Sequence, residues 1–483
     1  MKRRMAWLYD GTLFLYVYLA LTLLSFNPFV YYLPALRALT ALAAVLGAAS
    51  LVYRLFHFRR YQKAPCLWPA AAFLLSGLFT LAVNARYGVL ESAQGLLWLA
   101  FQLLLLLPRG ANEVRGDMVK ELRGVGGVFV AYNAVMALLS LLMAFFGYGE
   151  VYRPGGAAIV PRGFVWGRLW GMYSDPNYGS ASVCVSLAMC LFFLSRARTR
   201  RIRVLLWLSC LAFYGYIVFS DSRTGMAALA ALLGAYALCR VYERAGTWGK
   251  KANGFKKRAA LSILSAVLVS GLSISCVMAT KVAYNSFISI VYRAEPGVPG
   301  ENPVKPIDRA YDDQSDMSNG RLALWKSGVE LFQKAPLFGV GFRNLQAAAK
   351  ALVPDTYLVR NPKGYMYDAY HNMLVDVLAS QGILGLIAFF ALAVCALKHV
   401  FRLLASVLRR GARTALFAAA LVSALAAVVA ESLFISDLFY VNTPTSFMFW
   451  FLLGCLLRLG DDIGKENGAF VEARLEEWER AFK

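Results

Sequence analysis

The sequence is poor in charged residues and lacks the motifs of several large enzyme classes. Only 16% of its 483 residues are charged, whereas soluble domains carry about 25% because their surfaces must face water. It contains no Walker-type loop, no HExxH pattern, and no GxGxxG pattern placed between a strand and a helix. The motifs therefore give no indication of a nucleotide-dependent enzyme or a zinc protease.

Cysteines are few and poorly placed for disulfide bonds. All eight lie within or at the edges of apolar segments, so we predict neither a disulfide framework nor a CxxC metal site. Asp312, Asp313 and Asp316 offer oxygen ligands of the kind that divalent cations prefer, but acidic runs in loops are usually solvated. We therefore expect no metal and no cofactor.

What the chain does contain is long apolar segments. Hydrophobic residues make up 59% of it and fall in blocks of about twenty, the length that a helix needs to cross a membrane. We predict an all-α polytopic membrane protein with about 12 transmembrane helices, the first an uncleaved span rather than a signal peptide. The predicted spans are 11–30, 35–53, 66–83, 88–107, 124–146, 176–194, 204–219, 224–240, 259–281, 372–397, 414–436 and 443–458.

The basic residues predict the orientation of the chain. The net charge is +22, and most of the 50 lysine and arginine residues lie in alternate connecting segments. These segments are the N-terminus, 54–63, 108–123, 196–203, 240–258, 398–413 and the C-terminal tail. Because positive loops stay in the cytoplasm, we predict that both termini are cytoplasmic. The positive charge then meets anionic lipid and does not require nucleic acid.

This orientation divides the chain into four regions. Residues 1–281 form an N-terminal transmembrane region of about nine spans, and 372–458 a C-terminal region of about three spans. Between them lies a long extracytoplasmic loop at 282–371, and residues 459–483 form a cytoplasmic tail. Long loops in compact proteins usually serve a function, so we expect specialised chemistry in this loop.

Two arginines are predicted in the first turn of a helix, where the helix dipole disfavours a positive charge. Arg223 follows Ser222 at the start of the eighth span. Arg321 follows Ser318 and Asn319, which we expect to cap an amphipathic helix over residues 320–334. A guanidinium and the exposed N–H groups of a helix start can bind the same phosphate. Snorkelling or surface arginines are the alternative interpretation.

One histidine is predicted to lie on the outer face. His371 stands where the long loop re-enters the membrane, whereas His57 and His399 fall in basic cytoplasmic segments with a solvated or lipid-facing role. A histidine titrates near neutral pH and can act as a general base. Asp368, three residues earlier, would orient it if that stretch is helical. A structural role for His371 is the alternative.

Several polar residues in or beside the spans have no assigned role. They are Asn84, Arg86, Glu91, Glu431 and Asp437. Ionisable groups within a membrane are functional candidates by position, but a transport path and structural ion pairs would both account for them. The sequence leaves the two interpretations open.

Four stretches in register resemble the O-antigen ligase and polymerase family of bacterial envelope enzymes. They are RLWGMYSDPN at 168–177, SRTG at 222–225, RLALW through PLFGVG at 321–341, and HN through QGILG at 371–385. Their order and predicted sidedness are those that the family requires. The first five spans add only a compatible topology.

The resemblance implies a metal-independent glycosyltransferase of the bacterial inner membrane, with an extracytoplasmic active site. Its donor would be an oligosaccharide linked to undecaprenyl diphosphate, and its acceptor a hydroxyl of a glycan, lipid or protein, as in lipopolysaccharide or capsule assembly. Arg223 and Arg321 would neutralise the diphosphate, and His371 would take the acceptor proton, giving inversion. The substrate-binding residues would be Arg168, Asn177, Arg343, Asp368, Tyr370 and Asn372.

Two questions stay open at this point. A ligase and a polymerase differ only in the acceptor, and nothing in the residues identifies it. A transporter or flippase of a lipid-linked glycan or small solute is the alternative of a different class, with Glu91 and Glu431 lining its path. Such carriers usually contain an internal repeat, and we find no convincing repeat between the two halves.

Overall fold

The computed structural model describes most of the chain as helices. The described residues are 11–108, 117–153, 159–245, 254–293, 305–308, 318–361, 364, 367–407 and 412–465. The first helices are α1 (Thr12–Ser25), α2 (Pro34–Phe56), α3 (Phe58–Tyr61), α4 (Leu67–Val83), α5 (Val89–Phe101) and α6 (Asp117–Phe145). They are followed by α7 (Pro176–Leu194), α8 (Arg200–Ser220), α9 (Arg223–Ala245) and α10 (Phe255–Arg293). The last are α11 (Arg321–Lys334), α12 (Leu345–Leu352), α13 (Met373–Val407), α14 (Ala412–Ser432) and α15 (Pro444–Lys465).

Length and composition identify the membrane-spanning helices. Within the described residues, nine helices are long and apolar enough to cross a membrane. Three shorter apolar helices, Thr12–Ser25, Leu67–Val83 and Pro444–Leu459, lie where three further spans are predicted. A helix satisfies its own backbone hydrogen bonds, which the bilayer core requires. The predicted all-α polytopic membrane fold is confirmed.

The loop between α6 and α7 folds as a small antiparallel sheet that the sequence did not indicate. Its strands are β1 (Gly149–Tyr152), β2 (Val160–Val165) and β3 (Arg168–Gly171), in that spatial order. Arg162 joins the sheet to the preceding chain, because it pairs with Glu150 at 2.7 Å and donates to the Pro28 carbonyl at 2.9 Å. The sheet is thus attached to the connection between α1 and α2.

The long connection between α10 and α13 contains more helix than predicted. Its first helix begins at Arg321, one residue from the predicted start, but the N-cap is Gly320 with φ of 81°. The predicted cap of Ser318 and Asn319 is corrected accordingly: the capping position belongs to Gly320, and the Ser318 hydroxyl accepts the Leu322 N–H at 3.4 Å. The preceding span, α10, continues to Arg293, twelve residues beyond its predicted end at 281.

The segment 336–341 fills a break in α13. Gly382 interrupts that helix with φ of 64° and ψ of −160°. The N–H groups of Val340 and Gly341 donate to the carbonyls of Ala379 and Ser380 at 3.0 and 2.8 Å. From α4, Asn84 donates to the Gly339 carbonyl at 2.9 Å. Residues 336–341 are therefore held against the first nine residues of α13, and Asn84 has a structural role.

Candidate functional site

The starts of α7, α9, α11 and α13 approach one another beside the turn that follows α14. Ser222, before α9, donates to the Asn177 side-chain oxygen on α7 at 2.8 Å. Arg321 on α11 lies 3.4 Å from the Thr224 hydroxyl of α9. His371, before α13, donates its backbone N–H to the Ser436 hydroxyl in that turn at 3.2 Å. Helix starts carry partial positive charge, so the site is suited to an anion.

The start of α9 is held by its own capping residue. The buried Ser222 hydroxyl accepts the Gly225 N–H at 2.9 Å and satisfies one of the unpaired donors of the first turn. A Cβ on Gly225 would lie 2.4 Å from the Ser180 side chain, so only glycine lets α7 and α9 approach this closely. The arrangement leaves Arg223, the first residue of α9, with an exposed side chain.

Two further contacts order the turn before α9. Asp221, at φ of 48°, forms an ion pair with Lys281 of α10 at 2.8 Å. The positive charge of Lys281 thereby compensates the negative charge of Asp221, the acidic residue nearest to Arg223 in the turn. Arg168 of β3 donates to the Ser220 carbonyl at 2.9 Å. The predicted site residue Arg168 thus reaches the turn and binds its backbone.

Arg321 contacts two residues that lie far from it in the sequence. Its guanidinium carbon is 5.9 Å from the centre of the Phe434 ring, within cation–π distance. It also donates to the Thr224 hydroxyl, next to Arg223, at 3.4 Å. The half-buried Arg321 therefore lies beside the start of α9.

The backbone at His371 is held in an uncommon conformation. Its φ is 53°, a left-handed value that few non-glycine residues adopt. Asp376 accepts the Tyr370 N–H at 2.7 Å and the Ser436 hydroxyl, and Ser436 in turn accepts the His371 N–H. From α7, Tyr178 donates to the Ser436 carbonyl at 3.0 Å. Such locally strained residues are common at functional sites.

The imidazole of His371 is suited to accept a proton. Within the described part of the chain, its Nδ1 is buried and has no hydrogen-bond partner. Burial and the Arg321 charge lower the pKa of His371 below its usual 6.5, and Asp175 and Asp368 oppose this effect. The neutral form therefore prevails at neutral pH. A neutral imidazole can act as a general base.

Asp368 acts on His371 by charge and not by the predicted helical geometry. Residues 367–372 are not helical, so the spacing that would let a helical Asp368 orient the ring is absent. The Asp368 side chain is exposed. Its charge nevertheless favours the protonated form of His371. The condition for orientation by a helical Asp368 is therefore not met, and the effect of Asp368 on His371 is electrostatic.

Asn372 and Tyr370 are engaged within the protein. The Asn372 amide oxygen caps α13 by accepting two N–H groups, from Leu374 at 2.9 Å and Val375 at 3.2 Å, and its nitrogen donates to the Leu433 carbonyl at 3.0 Å. Tyr370 is fully buried. A Cβ on Gly328 would lie 3.1 Å from its ring, so Tyr370 packs α13 against α11. Both residues fix the position of His371.

Arg343 lies beside a separate, small pocket between α4, α5 and the break in α13. A Cβ on Gly95 of α5 would be 3.5 Å from the Arg343 side chain. The Ser92 and Ser380 hydroxyls and both Asn344 amide atoms are buried and have no hydrogen-bond partner among the described residues. The cavity volume is about 30 Å³, room for about two waters. No described contact connects Arg343 with Arg321 or His371.

The remaining polar candidates differ in their surroundings. Glu431 is fully buried next to Asp437, which accepts the hydroxyls of Thr443 and Thr445. Glu91 is exposed on α5, and Arg86 stacks on the neighbouring Tyr87 ring at 4.7 Å. Glu91 and Glu431, the two residues of the alternative transport path, therefore lie in different environments, one exposed and one buried.

Four residues of the site were not selected from the sequence. Asp175 caps α7 by accepting the backbone N–H groups of Asn177 and Tyr178, and the Asp-Pro pair at 175–176 was a visible capping signal. Thr224, Asp376 and Ser436 carried no such signal. Their role depends on contacts between residues far apart in the chain, such as the 60 positions between Asp376 and Ser436.

These features define a polytopic membrane protein with a cationic site, formed by helix starts and arginines, next to a neutral histidine. The family model described as O-Antigen ligase matches residues 207–390. That region includes Arg223, Arg321 and His371, and the match confirms the predicted resemblance to the O-antigen ligase and polymerase family. No curated protein matches the chain.

Proposed function

We propose that the protein transfers a glycan from undecaprenyl diphosphate to an acceptor hydroxyl at the outer face of the bacterial inner membrane. The observation that carries this proposal is the approach of Arg321 to the start of α9, next to Arg223, with His371 close enough to respond to the Arg321 charge. A diphosphate leaving group needs cationic stabilisation, and an acceptor hydroxyl needs a base. The proposed site offers both.

The diphosphate binds between Arg223 and Arg321. Charge develops on the bridging oxygen as the bond to the anomeric carbon breaks, and preorganised positive groups stabilise it. The first N–H groups of α9 and α11 add helix-dipole charge of the same sign. Asp221, the nearest acidic residue of the turn, is paired with Lys281, so it does not oppose the anion strongly.

His371 accepts the proton of the attacking hydroxyl. The acceptor oxygen forms a bond to the anomeric carbon from the face opposite the diphosphate, and the carbon–oxygen bond to the diphosphate breaks. The proton passes to the imidazole, and undecaprenyl diphosphate leaves with the bonding pair. One displacement of this kind inverts the anomeric configuration, and no metal takes part in it.

An apolar cavity beside the site would hold the polyprenyl tail. It lies between α13, α14 and α15, with a volume of about 550 Å³. Met373 and Leu433 line the end of the cavity nearest the site. Met373 follows Asn372 in the chain, and the Leu433 carbonyl accepts a hydrogen bond from the Asn372 side chain. Each buried CH₂ contributes about 0.8 kcal/mol, so an isoprenoid chain in this cavity would contribute much of the donor affinity.

Arg343 would bind the acceptor, away from the donor arginines. Its side chain is exposed beside a cavity of about 30 Å³, which has room for water but not for a sugar ring. A hydroxyl of the acceptor glycan would therefore meet the Arg343 guanidinium at the mouth of this cavity.

The test uses purified protein in liposomes with a labelled undecaprenyl diphosphate-linked oligosaccharide. Wild type is compared with His371→Ala and Arg223→Ala, and with Arg360→Ala, an exposed loop arginine paired with Asp355, as the control. A ladder of longer lipid-linked products, lost in the first two variants, establishes a polymerase. Donor consumption only with an added acceptor establishes a ligase. Folded protein that turns over no donor with any acceptor contradicts the proposal.

A further inference from the structure

Three metal-ligating side chains meet at the opposite end of α4 from the Asn84 contact. They are Cys66, Cys395 and His399, and their ligand atoms all lie within 4.8 Å of one another. The two sulfurs are 3.0 Å apart, and the Cys395 sulfur is 3.8 Å from His399 Nδ1. Cys66 precedes α4, whereas the other two are one turn apart on α13. The cluster therefore connects two membrane helices.

The backbone directs these side chains towards one another. Cys66 has a φ of 61°, a left-handed conformation that is uncommon for a residue other than glycine, asparagine or aspartate. It is buried, with 4% of its surface exposed. His399 Nδ1 lies 2.8 Å from the Cys395 carbonyl. Because a carbonyl only accepts, Nδ1 is the donor in this contact, which leaves Nε2 as the nitrogen that can bind a metal.

We propose that Cys66, Cys395 and His399 form a zinc site. Two thiolates and one imidazole are ligands that zinc prefers, with Zn–S near 2.3 Å and Zn–N near 2.0 Å. Ligand atoms within 4.8 Å of one another need only side-chain adjustment to reach those distances. The site would also be electrically neutral, since two thiolates balance Zn²⁺, and a neutral centre is the least costly to hold in an apolar environment.

The zinc would fix α4 against α13. At the other end of the same helix pair, Ser76 donates to Gln381 and Asn84 donates to the Gly339 carbonyl. Those contacts hold the loop that leads to the proposed catalytic site, so a second attachment at Cys66 would complete the clamp. The role is structural, and it does not depend on the proposed glycosyl transfer. It leaves that reaction itself metal-independent.

The experiment measures metal bound by the full-length protein purified under reducing conditions. Zinc content is determined by elemental mass spectrometry, and Co²⁺ is titrated in to detect the thiolate-to-cobalt charge-transfer absorption. We expect one equivalent per chain. Cys66→Ser and His399→Ala should each weaken Co²⁺ binding by at least about tenfold, since even outer-shell changes have effects of that size. Cys276→Ser, an exposed single cysteine on α10, should bind normally.

Size-exclusion elution and donor binding identify variants that fail to fold. If Cys66→Ser elutes as a monodisperse peak and still binds Co²⁺ like wild type, the site is not formed by these residues. If wild type binds no metal and mass spectrometry shows a disulfide between Cys66 and Cys395, the zinc proposal is overturned. Zinc binding without glycosyl transfer would contradict the proposed function and leave the zinc site in place.

Discussion

At the scale of single residues, the contacts of Arg321 indicate that the shape of the guanidinium matters in addition to its positive charge. Its guanidinium contacts Thr224 and the Phe434 ring at the same time. A lysine keeps the charge, but it cannot donate two parallel hydrogen bonds or stack on a ring in the same way. The nature of the side chain should therefore matter as much as its charge.

We predict that Arg321→Lys lowers glycosyl transfer by roughly 10²-fold, the lower end of the effect of removing an electrostatic donor. Arg321→Ala should lower it by roughly 10³-fold. The measurement is the initial rate with labelled donor, normalised to folded protein. Arg360→Lys, on an exposed loop, is the matched control and should behave like wild type. Wild-type turnover by Arg321→Lys would remove this residue from the mechanism.

The environment of His371 predicts the pH dependence of the reaction. Burial and Arg321 lower its pKa below 6.5, so the base is neutral at pH 7 and becomes protonated only in more acidic solution. The rate should therefore be constant around neutrality and fall below pH 6.5. The same depressed pKa means that the unfolded chain binds this proton first, so stability also falls as pH decreases through 6.5.

Asp368→Asn tests this assignment. Removing its negative charge should lower the pKa of His371 further, because Asp368 favours the protonated imidazole. The acidic limb of the rate profile should then move to lower pH, with little change in the maximal rate. Asp355→Asn, another exposed acidic residue of the long loop, should leave the profile in place. A shift in the opposite direction would show that another group controls the limb.

At the scale of secondary structure elements, the break in α13 depends on one glycine. A Cβ on Gly382 would lie 2.5 Å from the Leu337 carbonyl carbon, and its φ of 64° disfavours any L side chain. We predict that Gly382→Ala destabilises the protein by about 1–3 kcal/mol and lowers transfer. Thermal unfolding in detergent measures the first effect.

Helical glycines elsewhere provide the comparison. A Cβ on Gly271 of α10 meets no atom within 4 Å, so Gly271→Ala should leave stability unchanged or raise it slightly. Equal melting temperatures for the Gly271 and Gly382 variants would mean that the break tolerates a side chain. The loop would then be held by other contacts.

The sequence predicted elements better than it predicted contacts between them. Hydrophobic spacing placed α11 to within one residue at Arg321, and charge at helix starts selected Arg223 and Arg321. The sheet at 149–171 was not foreseen, because its strands are short and rich in glycine. Gly382 lay in a recognised motif, but its left-handed conformation depends on segment 336–341 packing beside it.

Clusters of residues that are far apart in the chain could not be predicted from the sequence, for a physical reason. Cys66 and Cys395 are 329 positions apart, and each occurs alone in an apolar segment. Only the packing of α4 on α13 brings them together, so no local spacing could predict the group. Asp376 and Ser436 meet in the same way across α13 and α14. The proposed catalytic residues could be selected from the sequence because each lies in its own capping or re-entry motif.

At the scale of the whole molecule, the apolar cavity between α13, α14 and α15 provides a test of how the donor lipid binds. Ala393 and Ala426 line opposite helices of that cavity. We predict that Ala426→Trp raises KM for an undecaprenyl donor by roughly tenfold, since it excludes about two buried methylenes of lipid. It should have little effect on a donor with a short prenyl chain, which does not reach so far.

The comparison of two donor lengths separates lipid exclusion from misfolding. Val267→Trp, on an exposed face of α10, serves as the control and should leave both donors unaffected. An equal loss with long and short donors would place the tail elsewhere. A loss with the long donor alone would locate it between α13 and α14.

The break at Gly382 also has a consequence for the lipid environment. Segment 336–341 binds both sides of it, because the Val340 N–H donates to the Ala379 carbonyl before the glycine and the Ile383 N–H donates to the Pro336 carbonyl at 2.8 Å after it. Membranes differ in thickness, and spans adjust to them by tilting. A change of tilt in the long apolar part of α13 is therefore passed through this segment to the part of the helix that follows His371. We expect the rate of the proposed reaction to depend on the thickness of the bilayer.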